Sequence, residues 1–416
     1  MTRSPSPAET SAPGGATRSK NIDYLVGVDH LRAFAALLIV FYHGAQLIYS
    51  DTLSRLHRPP VPWAQALNPL SALVIEGHSA VALFMVLSGF IFSYGAATSD
   101  VAYRPFLWNR FLRTYPLFLT LLVAGMCTFP GNASIERVVS TLLGLACFND
   151  NTVAFMPFSG MFWAVSVEWQ FYLIFPFLLR MLRPTPLKTL SLMLVMCLTM
   201  RWLSFVVGVN IRDAAYWTIL GRIDQFLIGM VVGLYLRKIP RTPLRWLFLP
   251  SVAFVLGSLW QLNRWGGWPA ITPFKIVWPA WEGLMWGGFL LCYLAVADSV
   301  PRLVSRAISP IGTVSYSIYL WHFVILTALS KQGYFFTMLT VRPYTSSLLN
   351  TLLVLTPASL AFAALSYELI EKPFLQMRVN TTVALFVSAH AGVACASSTG
   401  ILEAIVRANE RRQAET

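Results

Sequence analysis

Apolar residues run along this chain in unbroken stretches, with the polar residues gathered between them. A helix needs ~20 apolar residues to cross a ~30 Å hydrocarbon core. Stretches of that kind lie near 25–48, 72–95, 111–130, 162–180, 189–207, 217–236, 246–262, 275–296, 312–330 and 346–369. The pattern predicts an all-α polytopic membrane protein, a bundle of ten transmembrane helices. A moderately apolar stretch at 382–404, rich in small residues and carrying Glu403, is a candidate eleventh. Membrane β-barrels alternate apolar and polar positions in ten-residue segments, and that pattern is absent.

Composition sharpens this picture. Hydrophobic residues make up 56% of the 416 and charged residues 12%, where soluble domains average ~25% charged. Water-soluble, disordered, collagen-like and disulfide-rich secreted classes are excluded. The five cysteines are scattered and include no CxxC pair. Residues 1–20 are mostly Ser, Pro, Ala, Gly and Thr, too polar to order and without the apolar core of a signal peptide. They predict a disordered cytoplasmic tail over 1–21.

Net charge is +13, from 31 basic and 18 acidic residues. With the N-terminus inside, 17 basic residues fall in cytoplasmic segments and 8 in the opposite loops. The excess therefore reads as the positive-inside rule rather than nucleic-acid binding. A multi-pass protein of the inner (plasma) membrane with a cytoplasmic N-terminus is expected.

The first stretch holds two unusual residues. Arg32 and His43 are eleven positions apart, about three helical turns, so both leave one face of the helix with ~16 Å between them along the axis. Charged or titratable groups at such depth face protein or water. Alone, Arg32 could be a snorkelling anchor and His43 a hydrogen-bonding partner of a neighbouring helix. Together they suit a long donor, with an anionic end at the arginine and a reactive carbonyl near the histidine.

Arg110 and Arg113, at i and i+3, read as membrane anchors or as a phosphate clamp. Glu168 lies roughly two turns inside the fourth stretch. It could position an imidazolium or a sugar hydroxyl, or tie structurally to an arginine such as Arg222. Trp163 and Tyr172 flank it and could stack on sugar faces. Ser88-Gly89 reads as close helix packing. Arg222 and Asp224, in one turn, read as mutually neutralising. His322 could pack, hydrogen-bond or act in catalysis. Pro373, after Glu371, reads as a helix stop. No Walker A, GxGxxG or HExxH motif is present, and the six histidines show no metal-ligand spacing.

These residues, in order, resemble the acyltransferase 3 family of integral-membrane O-acyltransferases. The resemblance covers roughly 22–375. It rests on Arg32 with ten residues before His43, LFMVLSGF at 83–90, Arg110-x-x-Arg113, WAVSVEWQFYLIFP at 163–176, RIDQF at 222–226, SYSIYLWH at 315–322 and IEKPF at 370–374. Ala82 and Trp169 stand where many members carry acidic residues.

The resemblance implies transfer of an acyl group, by default acetyl, from cytoplasmic acyl-CoA to a hydroxyl of a carbohydrate such as an exopolysaccharide or O-antigen. No bound cofactor is implied; acyl-CoA is the donor substrate. His43 and Arg32 would form the core site, Arg110 and Arg113 would contact the donor, and Glu168 matches the glutamate of the family's SVE motif. Several larger relatives carry a fused extracytoplasmic hydrolase-like domain. Here 376–416 leaves room only for an extra helix and a polar tail, so direct or partner-assisted transfer is expected. The competing readings are a lipid-linked sugar carrier or flippase without chemistry, and a membrane sensor with a vestigial enzyme core.

Overall fold

The computed structural model describes residues 24–55, 63–146, 154–336, 339–340 and 342–384. The predicted tail 1–21 and most of the 382–404 stretch lie outside them. Helices dominate: α1 (Val26–Arg55), α2 (Pro69–Ile75), α3 (Ala80–Gly95), α4 (Tyr103–Thr128), α5 (Ile135–Leu142), α6 (Phe162–Leu182), α7 (Pro186–Val206), α8 (Ile211–Trp217) and α9 (Ile219–Tyr235). They continue with α10 (Arg241–Trp246), α11 (Phe248–Arg264), α12 (Trp278–Val296), α13 (Arg302–Thr313), α14 (Ser315–Lys331), α15 (Pro343–Asn350), α16 (Thr356–Ser366) and α17 (Lys372–Gln376).

Among the described residues, eight helices are long and apolar enough to cross a membrane, or nine if the bent pair α13–α14 counts as one span. All ten predicted stretches are helical, but two do not meet the expectation of an unbroken span. α11 has only 17 residues, and α13 and α14 meet at 68°. The outer faces are themselves apolar: on α7, Leu192, Val195 and Met196 are exposed. A bilayer, not water, solvates such a surface. This is a multi-pass membrane protein.

Small residues let the central helices touch. A Cβ on Gly89 of α3 would sit 2.0 Å from the Phe226 carbonyl oxygen of α9, and one on Gly229 would sit 2.0 Å from that of Val86. The Ser88-Gly89 expectation of close packing is met there.

Buried charges pair between helices. Arg201 reaches Asp224 at 2.7 Å and Arg222 reaches Glu282 at 3.0 Å. Arg222 and Asp224 therefore do not neutralise each other. They face different neighbours, because two positions apart on α9 they leave roughly opposite faces, Asp224 toward α7 and Arg222 toward α12. Nor does Pro373 end its helix. A π-helical turn over Tyr367–Glu371 widens the register and leaves Pro373 in the first turn of α17, where a missing N–H goes unneeded.

Candidate active site

α1 begins at what is called here the start face and ends at the far face. Its first turns are pinned by α13: a Cβ on Gly312 would lie 2.0 Å from the Asp29 carbonyl oxygen. A cavity of about 600 Å³ opens among α1, α3, α4, α6 and α14. Arg32, Arg110, Arg113, Glu168 and Tyr172 all line it, so five of the seven expected site residues share one chamber. The i, i+3 spacing of Arg110 and Arg113 does put both on the cavity side of α4.

The chamber is electrostatically lopsided. Arg113 is paired with Glu371 at 3.0 Å, and Glu371 also accepts from Ser317. Arg32 and Arg110 have no ion-pair partner among the described residues. The Arg110 guanidinium instead rests 4.8 Å over the Phe92 ring, and its Nε is buried without a hydrogen bond. Glu168 takes a hydrogen bond from Ser88 at 2.8 Å, not from Arg222. Tyr172, also on this wall, is buried 6.0 Å from the Arg110 guanidinium.

A fourth arginine enters from the chain after α17. Arg378 lines the same cavity. Its backbone neighbour Val379 is clamped from both sides by the Asn109 amide, at 2.7 and 2.9 Å. Burial, then the guanidinia of Arg110, Arg113 and Arg32, push the Arg378 pKa down to about 9. Its Nε also lacks a partner. Like charges crowded at low solvation are unfavourable unless an anion joins them.

His43 lies beyond this chamber. It does not line the cavity, whose lining includes Phe84 and Tyr319, their rings edge-on at 6.3 Å. Beyond that lining, His43 Nδ1 is 3.0 Å from His322 Nε2. His322 Nδ1 is 3.1 Å from the Ile318 carbonyl oxygen.

The network assigns the tautomers. A carbonyl only accepts, so His322 Nδ1 carries the proton and its neutral Nε2 is bare. That Nε2 must accept from His43 Nδ1–H, which leaves the His43 Nε2 lone pair free. A histidine so oriented is prepared to take a proton from a hydroxyl.

On the far-face side of His43 the rings continue. Tyr42 packs at 4.8 Å from His43 and 5.6 Å from His78, and His78 at 5.5 Å from Tyr216. Trp163 is buried 4.9 Å from Tyr216 and 4.8 Å from Trp217. Trp163 and Tyr172 thus do not share one wall: Tyr172 lines the cavity and Trp163 does not. Nine positions apart on α6, they leave roughly opposite faces of the helix.

A sequence model of an acyltransferase domain (Acyl_transf_3) matches residues 25–368, which takes in α1 to α16. The chain belongs to the acyltransferase 3 family. Three similar proteins agree. Acyltransferase MdmB of Streptomyces mycarofaciens is 26% identical over 71% of this chain and 77% of its own length. BcsY of Komagataeibacter xylinus, whose name describes a membrane-bound transacylase, is 25% identical over 71% of each chain. SACOL0978 of Staphylococcus aureus (strain COL), whose name describes an O-acetyltransferase, is 23% identical over 86% of this chain and 59% of its own length. The chain spans less than two thirds of that last relative. No solved structure matches.

The candidate site of this O-acyltransferase brings in His322, which the sequence leaves open between packing, hydrogen bonding and catalysis, and Arg378, which it does not single out. His322 was visible as a titratable group inside an apolar helix, but its partner 279 residues away was not. Arg378 looked like one more basic residue of a loop. Only the return of the chain onto Asn109 makes it part of the chamber.

Proposed function

We propose that this acyltransferase moves an acyl group, acetyl by default, from acyl-CoA to a hydroxyl of a carbohydrate acceptor. The observation that carries the reading is a chamber whose Arg32 and Arg110 have no ion-pair partner among the described residues, with a hydrogen-bonded histidine pair beyond it that leaves one imidazole nitrogen free. The donor phosphates lie at Arg32, Arg110, Arg113 and Arg378. The thioester lies short of His43, and the extended pantetheine arm of CoA matches the ~16 Å between Arg32 and His43 along α1. Displacing Phe84 joins the two compartments.

His43 Nε2 takes the proton of the acceptor hydroxyl, whose oxygen attacks the thioester carbonyl carbon. The C–S bond then breaks, and the thiolate recovers that proton to leave as free CoA. Glu168 and Tyr172 shape the donor chamber. The acceptor reaches His43 from the far face, where Tyr42, Trp163 and Tyr216 supply apolar ring faces of the kind that stack on sugars. The start face is cytoplasmic and the membrane is the inner one, in keeping with the basic residues counted above. α11 and the bent pair α13–α14 bring the crossings to ten.

The test uses purified protein in liposomes with labelled acetyl-CoA and a hydroxyl acceptor. Free thiol and acylated product are expected, and His43→Ala should lower the rate by ~10²–10⁴-fold while the protein stays folded. A pure carrier would yield neither product. Wild-type rates from His43→Ala would remove the base from the mechanism.

A further inference from the structure

We propose that Tyr319 is a catalytic residue of the transfer, donating its phenolic O–H to the acyl carbonyl oxygen as the acceptor attacks. This rests on the reading of the chamber as the donor site. Tyr319 stands on α14 and lines the cavity, one turn before His322, with the two rings 6.0 Å apart. It is the last polar side chain a thioester would meet before the histidine pair.

Its hydroxyl has nothing else to do. Tyr319 is 7% exposed, and its Oη is shut off from solvent with no hydrogen-bond partner among the described residues. Tyr316, on the same wall, is different: its hydroxyl donates to the Thr114 carbonyl at 2.7 Å. A buried O–H that bonds to nothing is a net penalty relative to phenylalanine, which fills the same space. A ligand oxygen in the cavity is the partner that would redeem it.

The chemistry calls for such a donor. As the acceptor oxygen bonds to the carbonyl carbon, the carbonyl π electrons move onto oxygen, and a fixed hydrogen-bond donor there lowers the barrier. The histidines cannot supply it. His322 Nδ1–H is engaged by Ile318, His43 Nδ1–H by His322, and His43 Nε2 is occupied with the acceptor proton. The arginines stand toward the mouth, at the donor's anionic end. When the tetrahedral adduct collapses, C=O re-forms, C–S breaks, and the thiolate takes the proton from His43 Nε2. The Tyr319 proton stays on its own oxygen throughout.

Tyr319→Phe tests this in the full-length protein in liposomes, with acetyl-CoA as donor and free-thiol release as readout. Thermal unfolding is measured on the same preparation. The expected result is a kcat lower by about 10²-fold, a KM for acetyl-CoA within twofold of wild type, and an unfolding temperature equal to or above wild type. A merely structural tyrosine predicts the reverse: a lower unfolding temperature with kcat retained. A kcat within twofold of wild type overturns the proposal, as does a rate loss accompanied by loss of stability. Wild-type protein that releases no thiol from acetyl-CoA overturns the donor reading and this proposal together, whereas an active wild type with an unaffected Tyr319→Phe sinks only the tyrosine.

Discussion

Replacing His322 by Ala isolates what the histidine pair contributes. The substitution removes the acceptor of the 3.0 Å hydrogen bond from His43 Nδ1–H. His43 then loses both its orientation and the bias toward the tautomer with Nε2 free. Positioned general bases are worth ~10²–10⁴-fold, and the part that depends on a neutral partner is set at the low end. A fall in kcat of about 10²-fold follows, ~2.7 kcal/mol of barrier. KM for the donor should not move, because His322 does not line the arginine chamber. His322→Gln returns a side-chain oxygen that can accept from Nδ1–H, so it should recover about tenfold of the loss. The assay is thiol release from acetyl-CoA in liposomes for His43→Ala, His322→Ala and the double variant. If His322 acts only through His43, the double variant is no slower than His43→Ala. Losses that multiply would refute the argument, since His322 would then have its own contact with substrate.

Three further outcomes test other parts of the structure. Arg378→Gln removes a crowded guanidinium, so the protein without donor should unfold at a higher temperature. The same variant should lose most of the thermal shift that CoA gives the wild type; an unchanged shift in a CoA titration would exclude Arg378 from the phosphate site. Phe84→Ala removes a ring that lines the cavity beside Tyr319 and should improve turnover of longer acyl-CoA chains relative to acetyl-CoA at least tenfold, read by competition between the two donors; an unchanged ratio would mean the ring does not bound the acyl group. Lys275, outside the spanning helices, donates to the Gly267 carbonyl at 2.9 Å, and burial lowers its pKa to about 8. Between pH 8 and the unfolded-chain value near ~10.5 the unfolded state binds the extra proton. Stability should therefore rise with pH across that window, and Lys275→Met should flatten the rise in unfolding temperature measured from pH 7 to 10.

The hydrophobic pattern by itself determined that the chain is a helical membrane protein, because crossing a bilayer demands long apolar helices whatever their neighbours. It also determined that Arg110 and Arg113 share one helical face, since 3.6 residues per turn is a local property. Which groups meet across helices was not local. Arg222 could pair with Asp224 or Glu168 on spacing alone, yet Glu282 holds it, because partner choice depends on how α9 is rotated against α12. The same holds for the site. Arg32 and His43 leave one face of α1, but of the two only Arg32 lines the cavity. Folding carried His322 and Arg378 from the far end of the chain to complete two compartments, and interhelical packing, which no periodicity in sequence encodes, decided both.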